Sequence, residues 1–499
     1  MMGHLPILTI LVFLPLAGAL GIVLDRGREE HARPVALAVA ILVLTGAGLT
    51  AVAGPVSLVP SAPPGFFLWE DVPWVARFGI RYTLGMDGIS CLMALLTSFV
   101  TVIALAVSWR GIGERVGLHC LLILVMESGI LGVFLAFDLF LFYLFWEVML
   151  VPMFFLIGIW GHGRRIYAAV KFFIFTLAGS LLMLLAIIGI YLIHGSQTGA
   201  YTFALHALTS TRLEPAVSSW LYAAFLLAFA IKVPLFPLHT WLPDAHTDAP
   251  TAGSVLLAGL LLKTGAYGLI RFAHPLFPEA ARASAPLILT AALVGIVYGS
   301  WVAFAQTDMK RLVAYSSIGH MGFVVLGIAA WTPVSLSGSL LQMVNHGITT
   351  GALFALVGML DERSGTREIV SFGGLWGKVP LFSAFFLLFA MASAGLPGLN
   401  NFTGEFIILA GSFRVAPLAA ALAMAGIILS LVYTVRLVQE LLFVTDRRPF
   451  SPADLSFREG GVLALLAVTA VYLGIHPAPL LDLLNVPLAL LTAGTGGTP

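Results

Sequence analysis

Charge is what this sequence lacks. Only 10% of its 499 residues are Asp, Glu, Lys or Arg, against about 25% in a soluble globular domain. With 60% hydrophobic residues the chain cannot cover itself with a polar surface, so most of its surface must meet lipid. The formal net charge of +1 gives no basic field for nucleic acid and no surface for an acidic ligand. There are two cysteines, Cys91 and Cys120. A cysteine-ligated iron–sulfur cluster needs four thiolates, so this chain cannot hold one alone, and no disulfide framework is expected. No Walker A sequence occurs, and no GxGxxG opens a βαβ unit, which argues against a self-contained nucleotide-using enzyme. The alternation of apolar and polar residues that marks an outer-membrane barrel is missing as well.

What is present is a series of apolar segments of about 20 residues, the length that spans a bilayer as a helix. Their centres fall near residues 15, 43, 96, 125, 148, 181, 228, 260, 295, 320, 346, 387, 428 and 468. The expected fold is therefore an all-α polytopic membrane protein of fourteen transmembrane helices. The first run, Leu5 to Leu24, has no Lys or Arg before it and is long enough to span, so it reads as a retained helix rather than a signal peptide. Loops after odd-numbered helices hold 16 of the 25 basic residues, among them Arg33, Arg110, Arg164, Lys310 and Arg367, and the other loops hold six. The positive-inside rule then puts the odd loops in the cytoplasm and both termini outside. The longest polar stretch, Gly54 to Thr83, carries Trp69 and Trp74 and suits a membrane interface. The closing residues "TAGTGGTP" read as a flexible tail, and no soluble domain is expected.

Against this background a few residues stand out. A charge at the bilayer centre costs about 2.5–3.5 kcal/mol on insertion scales, yet Glu147, Lys232, Lys263 and Glu405 lie within apolar spans, with His320 and His346 on two successive later ones. Buried ion pairs that only fix helix register would be the structural alternative, but such pairs seldom stabilise more than a hydrophobic replacement does. Titratable groups on separate helices read better as a proton relay. Lysine is informative here, because a buried lysine can release its proton and retake it beside a carboxylate, whereas arginine stays charged. Glu127, His239, Asp244 and His246 are further candidates. The two histidines could instead hydrogen-bond exposed backbone, and they lack the companions that a tetrahedral metal site needs. Arg436 could snorkel to the interface.

Two spans are interrupted. In "IKVPLFPLHTWLPDAHTDAPT", Pro234, Pro237, Pro243 and Pro250 remove amide donors and clash with preceding carbonyls, so the helix carrying Lys232 should unwind over 233–240. In "FAMASAGLPGLNNFTGEF", Gly395, Pro397, Gly398, Asn400 and Asn401 precede Glu405. Paired interruptions in two halves point to a transporter repeat with its site at the midplane. The expected repeats are helices 4–8 (111–271) and 9–13 (284–445). Each has five helices, an odd number, so they should be inverted. Helices 1–3 with the loop 54–83 would fill 1–110, and helix 14 would lie at 458–480, all within one membrane domain, 1–499.

The stretches "FWEVMLVPMFFLIGIWG", "IKVPLFPLHTWLPDAHTDAPTAGSVLLAGLLLKTGAYGLIR", "KRLVAYSSIGHMGF" and "LPGLNNFTGEF" resemble the antiporter-like membrane subunits of respiratory complex I, from about residue 84 to the end. The resemblance implies fourteen helices with the seventh and twelfth discontinuous. It implies that Glu147 pairs with Lys232, that Lys263 is the central lysine of helix 8, that Glu405 is the glutamate of helix 12, and that His320 and His346 connect them. It also implies proton translocation driven by quinone reduction elsewhere. Protons would enter from the cytoplasm, load the lysines and leave past Glu405, gated by the Glu147–Lys232 contact. No cofactor is expected in this chain. FMN, iron–sulfur clusters and quinone belong to partner subunits, and the expected partners are flanking membrane subunits and the peripheral NADH-oxidising arm. The expected location is a bacterial inner membrane, with an organellar inner membrane as the alternative. The chain ends about 20 residues past helix 14, which favours a member without the C-terminal lateral helix of the longest sister subunit. Related alternatives are a subunit of a multi-subunit cation/proton antiporter or of a membrane-bound hydrogenase. A purely structural role is a third.

Overall fold

The computed structural model describes residues 6–25, 29–53, 62–445 and 453–494. Among these, thirteen helices are long and apolar enough to cross a membrane. The chain opens with α1 (Ile7–Leu24), α2 (Glu29–Ala53), a hairpin β1 (Leu68–Val75) and β2 (Ile80–Met86), α3 (Gly88–Val107) and α4 (Val116–Leu135). The next span joins α5 (Leu139–Val148) to α6 (Leu150–Trp160), and α7 (Arg165–Thr198) and the short α8 (Leu205–Leu208) follow. Then come α9 (Pro215–Lys232), α10 (Trp241–Asp248) and one long span built of α11 (Thr251–Leu256), α12 (Leu262–Gly268) and α13 (His274–Leu276). Two π-helical turns, Leu257–Leu261 and Leu269–Ala273, separate these last three. The second half holds α14 (Pro278–Phe304), α15 (Met309–Ala330), α16 (Pro333–Ser364), α17 (Leu375–Lys378), α18 (Pro380–Ser393), α19 (Asn400–Phe413), α20 (Pro417–Val438), α21 (Phe457–Ile475) and α22 (Ala478–Gly494).

Every helix centre expected from the sequence falls on a helix, although the one near 387 falls on α18, which has only 14 residues. The all-α expectation needs correcting. Residues read as a polar loop form the antiparallel hairpin β1–β2, because they include Trp, Val, Tyr and Thr, which favour strands, around a turn at Gly79 (φ +67°). A Cβ at Gly79 would lie 1.8 Å from the carbonyl oxygen of Tyr201, so only glycine fits. Trp74 is exposed as expected, but Trp69 packs on Phe66 and Phe137, at ring separations of 5.1 and 5.6 Å. Residues 54–61 of that loop lie outside the described residues. A second correction concerns the end of the chain. The first three residues of the tail read as flexible, 492–494, belong to α22, which packs on α3 and α16. Residues 495–499 lie outside the described residues.

Burial sorts the spans. The windows of Thr251–Leu276 and Pro333–Ser364 are 100% buried and that of Met309–Ala330 is 94% buried, against 28% for Glu29–Val52 and 33% for Pro417–Phe443. These three central spans carry Lys263, His320 and His346. The loops gather on two faces. On one, Arg33 Nη2 donates to Ile112 O, Trp160 Nε1 to Glu114 O, His162 N to Asp248 O, and Met309 N to Arg367 O. These are the basic loops. On the other, the hairpin meets the turns at 136–138 and 203–205: Phe137 N donates to Thr83 O, Leu139 N to Phe203 O and Arg81 N to Asp138 Oδ2. Asp138 also accepts from Phe140 N and Leu141 N, and burial pushes its carboxyl up to about 6 against these donors.

Near this second face Asp87, the N-cap of α3, accepts from Ser90 N at 2.9 Å and, through both carboxylate oxygens, from Arg271 Nη2 at 2.7 and 2.6 Å. The pair is buried, and the guanidinium also lies 5.1 Å from the Phe137 ring centroid. Removing one partner of a buried pair strands the other charge, at a cost of about 3–5 kcal/mol. Asp87→Ala should therefore lower the thermal stability of the detergent-solubilised protein strongly, and the double change Asp87→Leu with Arg271→Met should restore most of it. A single variant as stable as the original would show the pair to be dispensable.

Candidate functional site

The two expected interruptions are present, and their backbones are built alike. After α9 the chain leaves helical geometry until α10, and Leu235 N reaches back to Ala230 O at 2.8 Å. After α18 it does so until α19, and Leu396 N reaches back to Met391 O at 3.1 Å. The two bonds are separated by the same sequence offset, and both span five residues. Carbonyls freed in lipid must find donors inside the protein. In the first break Trp241 Nε1 donates to Ile231 O at 2.9 Å. In the second, Asn345 Nδ2 donates to Asn400 O at 2.6 Å and Asn400 Nδ2 to Asn345 O at 3.0 Å. This amide clasp fixes α19 to α16.

Lys232 is the last residue of α9 and is buried. Its Nζ has no hydrogen-bond partner among the described residues and lies over the rings of Trp146 and Phe172, 5.2 and 5.6 Å from their centroids. Glu147 is half-buried on α5, and its Oε1 is also unpartnered. The expected direct Glu147–Lys232 pair is thus not formed within 4 Å in this structure, because the ammonium rests on the neighbouring Trp146. The two charges still act on each other electrostatically. The helix hitches at Met149, two residues after Glu147, where Pro152 offers no amide to the carbonyl of Val148.

Gly265 brings the next lysine close. A Cβ there would lie 2.8 Å from Phe229 O and 3.0 Å from Lys232 Cβ, so α12 can sit against α9 only because that side chain is absent. Lys263 is on α12, fully buried. It donates to Ala258 O in the π-helical turn just before it and to His346 Nδ1 at 2.7 Å. His346 must then carry its hydrogen on Nε2, an atom with no partner among the described residues. The His320 ring follows, 5.8 Å away centroid to centroid. His320 Nδ1 bonds Glu405 Oε1 at 2.7 Å, and its Nε2 meets Ser393 Oγ at 3.2 Å. Gln342 Nε2 donates to the same Glu405 oxygen at 3.1 Å. Lys263, His346, His320 and Glu405 therefore form one buried line that ends beside the second break.

The remaining candidates fall elsewhere. Glu127 is buried in α4 with both oxygens unpartnered among the described residues. Asp244 accepts from Lys171 at 2.6 Å, tying α10 to α7. His239 stacks on Phe236 at 5.6 Å and meets Tyr298 edge-on at 5.0 Å. His246 stacks on Phe354 at 4.4 Å, and neither of its ring nitrogens is bonded. The bonds from these histidines to freed backbone that the sequence allowed are not made, since Leu235 N and the Trp241 indole occupy those carbonyls. Arg436 is exposed and donates to Phe304 O at 3.0 Å. Sequence reasoning missed Gln342, Ser393, Trp146 and Trp241. Gln342 had a usable signal, as it lies one turn before His346 on the same helix face.

Comparison with known proteins follows the same lines. The family model described as NADH:quinone oxidoreductase/Mrp antiporter, transmembrane, matches residues 136–431. NADH-quinone oxidoreductase subunit M of Pseudomonas aeruginosa is 48% identical over 430 residues, covering 85% of this chain and 84% of its own. A chain in the structure of respiratory complex I from Thermus thermophilus with bound NADH superposes with a TM-score of 0.84 at 34% identity, covering 97% of this chain and 99% of that one. A chain of the Mrp complex from Dietzia superposes equally well, with a TM-score of 0.84 over 98% of each chain, but at 22% identity it shares the fold alone.

Proposed function

The chain belongs to the NADH:quinone oxidoreductase/Mrp antiporter membrane family, and on that premise we propose how it works. It is a proton-translocating membrane subunit of an NADH:quinone oxidoreductase, the complex I type. Its spans number fourteen when α9 with α10, and α18 with α19, are each counted as one broken helix. Helices 4–8 and 9–13 are inverted repeats within one membrane domain, a reading supported by the matching backbone of the two breaks. The face with the basic loops is cytoplasmic and both termini are outside, in a bacterial inner membrane. Flavin, iron–sulfur clusters and quinone are held by partner subunits, which include flanking antiporter-like subunits and the NADH-oxidising arm.

The observation that carries the mechanism is the buried line from Lys263 to Glu405. Protons load the lysines from the cytoplasmic side, pass through His346 and His320, and leave from Glu405. The two histidine rings lie 5.8 Å apart, centroid to centroid, with no direct hydrogen bond between them, and a water between their nitrogens would complete the path. Lys232 is the gate. Resting on Trp146, its ammonium gains about 2 kcal/mol or more from the ring, close to the 2.5–3.5 kcal/mol cost of the charge in the membrane. Movement of Glu147 towards or away from it then decides whether the proton stays. Moving one charge against 100 mV requires about 2.3 kcal/mol, which is of the same size. The antiporter alternative has the fold likeness to the Mrp chain in its favour, but the identity lies with the oxidoreductase subunits.

NADH-driven acidification of inverted membrane vesicles tests the gate. Glu147→Ala and Lys232→Ala should each cut the gradient about tenfold, the effect of losing about 1.4 kcal/mol of charge interaction, while NADH oxidation by a soluble acceptor stays intact. Normal gradients in both would rule out the relay.

The packing that joins the lysines has its own test. Gly265→Val should push α12 away from α9 and lower pumping several-fold in assembled complex. Gly295→Ala, where an added Cβ meets nothing within 4 Å, should be silent. Equal pumping in the two variants would remove the close approach from the mechanism.

A further inference from the structure

A cavity of about 420 Å³ opens on the face of the basic loops. Its lining includes Glu114, His162, Thr251, Asp361, Glu362 and Lys310. Lys310 stands apart from the others. It is the second residue of α15, next to Met309, and is 3% exposed although its side chain borders the cavity. Its Nζ donates to the carbonyl of Ala249, the C-cap of the half-helix α10. Two of the carboxylates near it are engaged by another cation: Arg367 Nε lies 3.3 Å from Asp308 and 3.9 Å from Asp361, and its Nη1 donates to Thr247 O. Among the described residues no carboxylate lies within 4 Å of Lys310 Nζ. The lysine is therefore held by a neutral carbonyl and can give up a proton without breaking an ion pair.

His246 lies three residues before Ala249 on α10, which packs on α15, and both of its ring nitrogens are unbonded among the described residues. The charges of Lys310 and Lys263 both act on this ring, and His246 in turn acts on His346. We propose that Lys310 is the proton-loading residue of this chain. Neutral Lys310 takes a proton from water in the cavity, and the ammonium passes one proton to His246. The imidazolium hands it on to the Lys263–His346 pair, and Lys310 returns to its neutral form with no net change. This inference rests on the relay reading and extends it to the cytoplasmic face. The competing role is a fixed positive cap on the carbonyl end of α10, which an arginine would fill equally well, since arginine keeps its charge and its donors but does not release a proton.

The test uses the whole complex in inverted vesicles, with soluble-acceptor activity as the control for assembly and Lys263→Met run in parallel. Lys310→Met and Lys310→Arg should both lose most proton translocation. Lys310→His, which keeps a titratable group, should recover part of it, more so at mildly acidic pH. Wild-type pumping in Lys310→Met or Lys310→Arg would overturn the proposal, and so would a His variant no better than the Met variant. If Lys263→Met loses pumping while the Lys310 variants do not, only the entry step falls. If Lys263→Met also pumps normally, the relay itself falls.

Discussion

Inside a bilayer each backbone or charged group must be answered by another atom of the protein, and the interior of this chain is arranged around that demand. Two helices are broken, and each break is closed by an amide reaching five residues back, Leu235 to Ala230 and Leu396 to Met391. Side chains answer further carbonyls: Trp241 that of Ile231, Asn345 that of Asn400, and Lys263 that of Ala258 in the adjoining π-helical turn. Distorted helices of this kind recur at functional sites. Here the distortion places a carbonyl beside a lysine that would otherwise have only His346 as a partner. The groups that carry the chemistry are thus also the groups that make the distorted backbone tolerable.

The parts of this site legible in sequence were those that violate the composition around them. A Lys or Glu in a run of Leu, Phe and Ile is expensive, so Glu147, Lys232, Lys263 and Glu405 announced themselves, and the prolines and glycines of the breaks did the same. Serine and tryptophan are cheap in such a span. Ser393 and Trp146 therefore gave no signal, although they contact His320 and Lys232. Partner choice was the other hidden element. It depends on how closely two helices approach, and that is set by single small residues such as Gly265. The resemblance implied a Glu147–Lys232 pair, and only the three-dimensional packing shows the ammonium on an indole instead. The hairpin was obscured for a different reason: its strands alternate weakly and lie in a Pro-rich segment.

The placement of lysine rather than arginine follows from the same energetics. Arg271 is buried too, but it has both oxygens of Asp87 and two aromatic rings around it, and it serves a fixed joint between the start of α3 and a central span. Among the described residues, Lys232 and Lys263 have no carboxylate within 4 Å. A cation without a counter-ion in a dry interior is held by small differences, and small differences can be reversed by the movement of one neighbour. Fixed charge and movable proton are thus separated by residue type as well as by location.

The two breaks share a backbone but not their side chains, and the difference gives the line a direction. At equivalent offsets the first break carries Lys232 and Asp244, and the second carries Ser393 and Glu405. Asp244 is neutralised by Lys171, so the first break contributes an available lysine. The Ser393 hydroxyl is bonded to His320, so the second contributes an available carboxylate. Between them lie only Lys263 and two imidazoles. In the proposed relay, when Lys263 is protonated and Glu405 is ionised, one proton shifted along His346 and His320 leaves both ends neutral. The transfer removes two opposite charges from the hydrocarbon interior together, whereas a lone charge crossing the same distance would bear the full cost of desolvation. The step is then nearly balanced, and the free energy supplied from outside the subunit is needed only to recharge its ends: a proton taken up at the lysines and another released from Glu405.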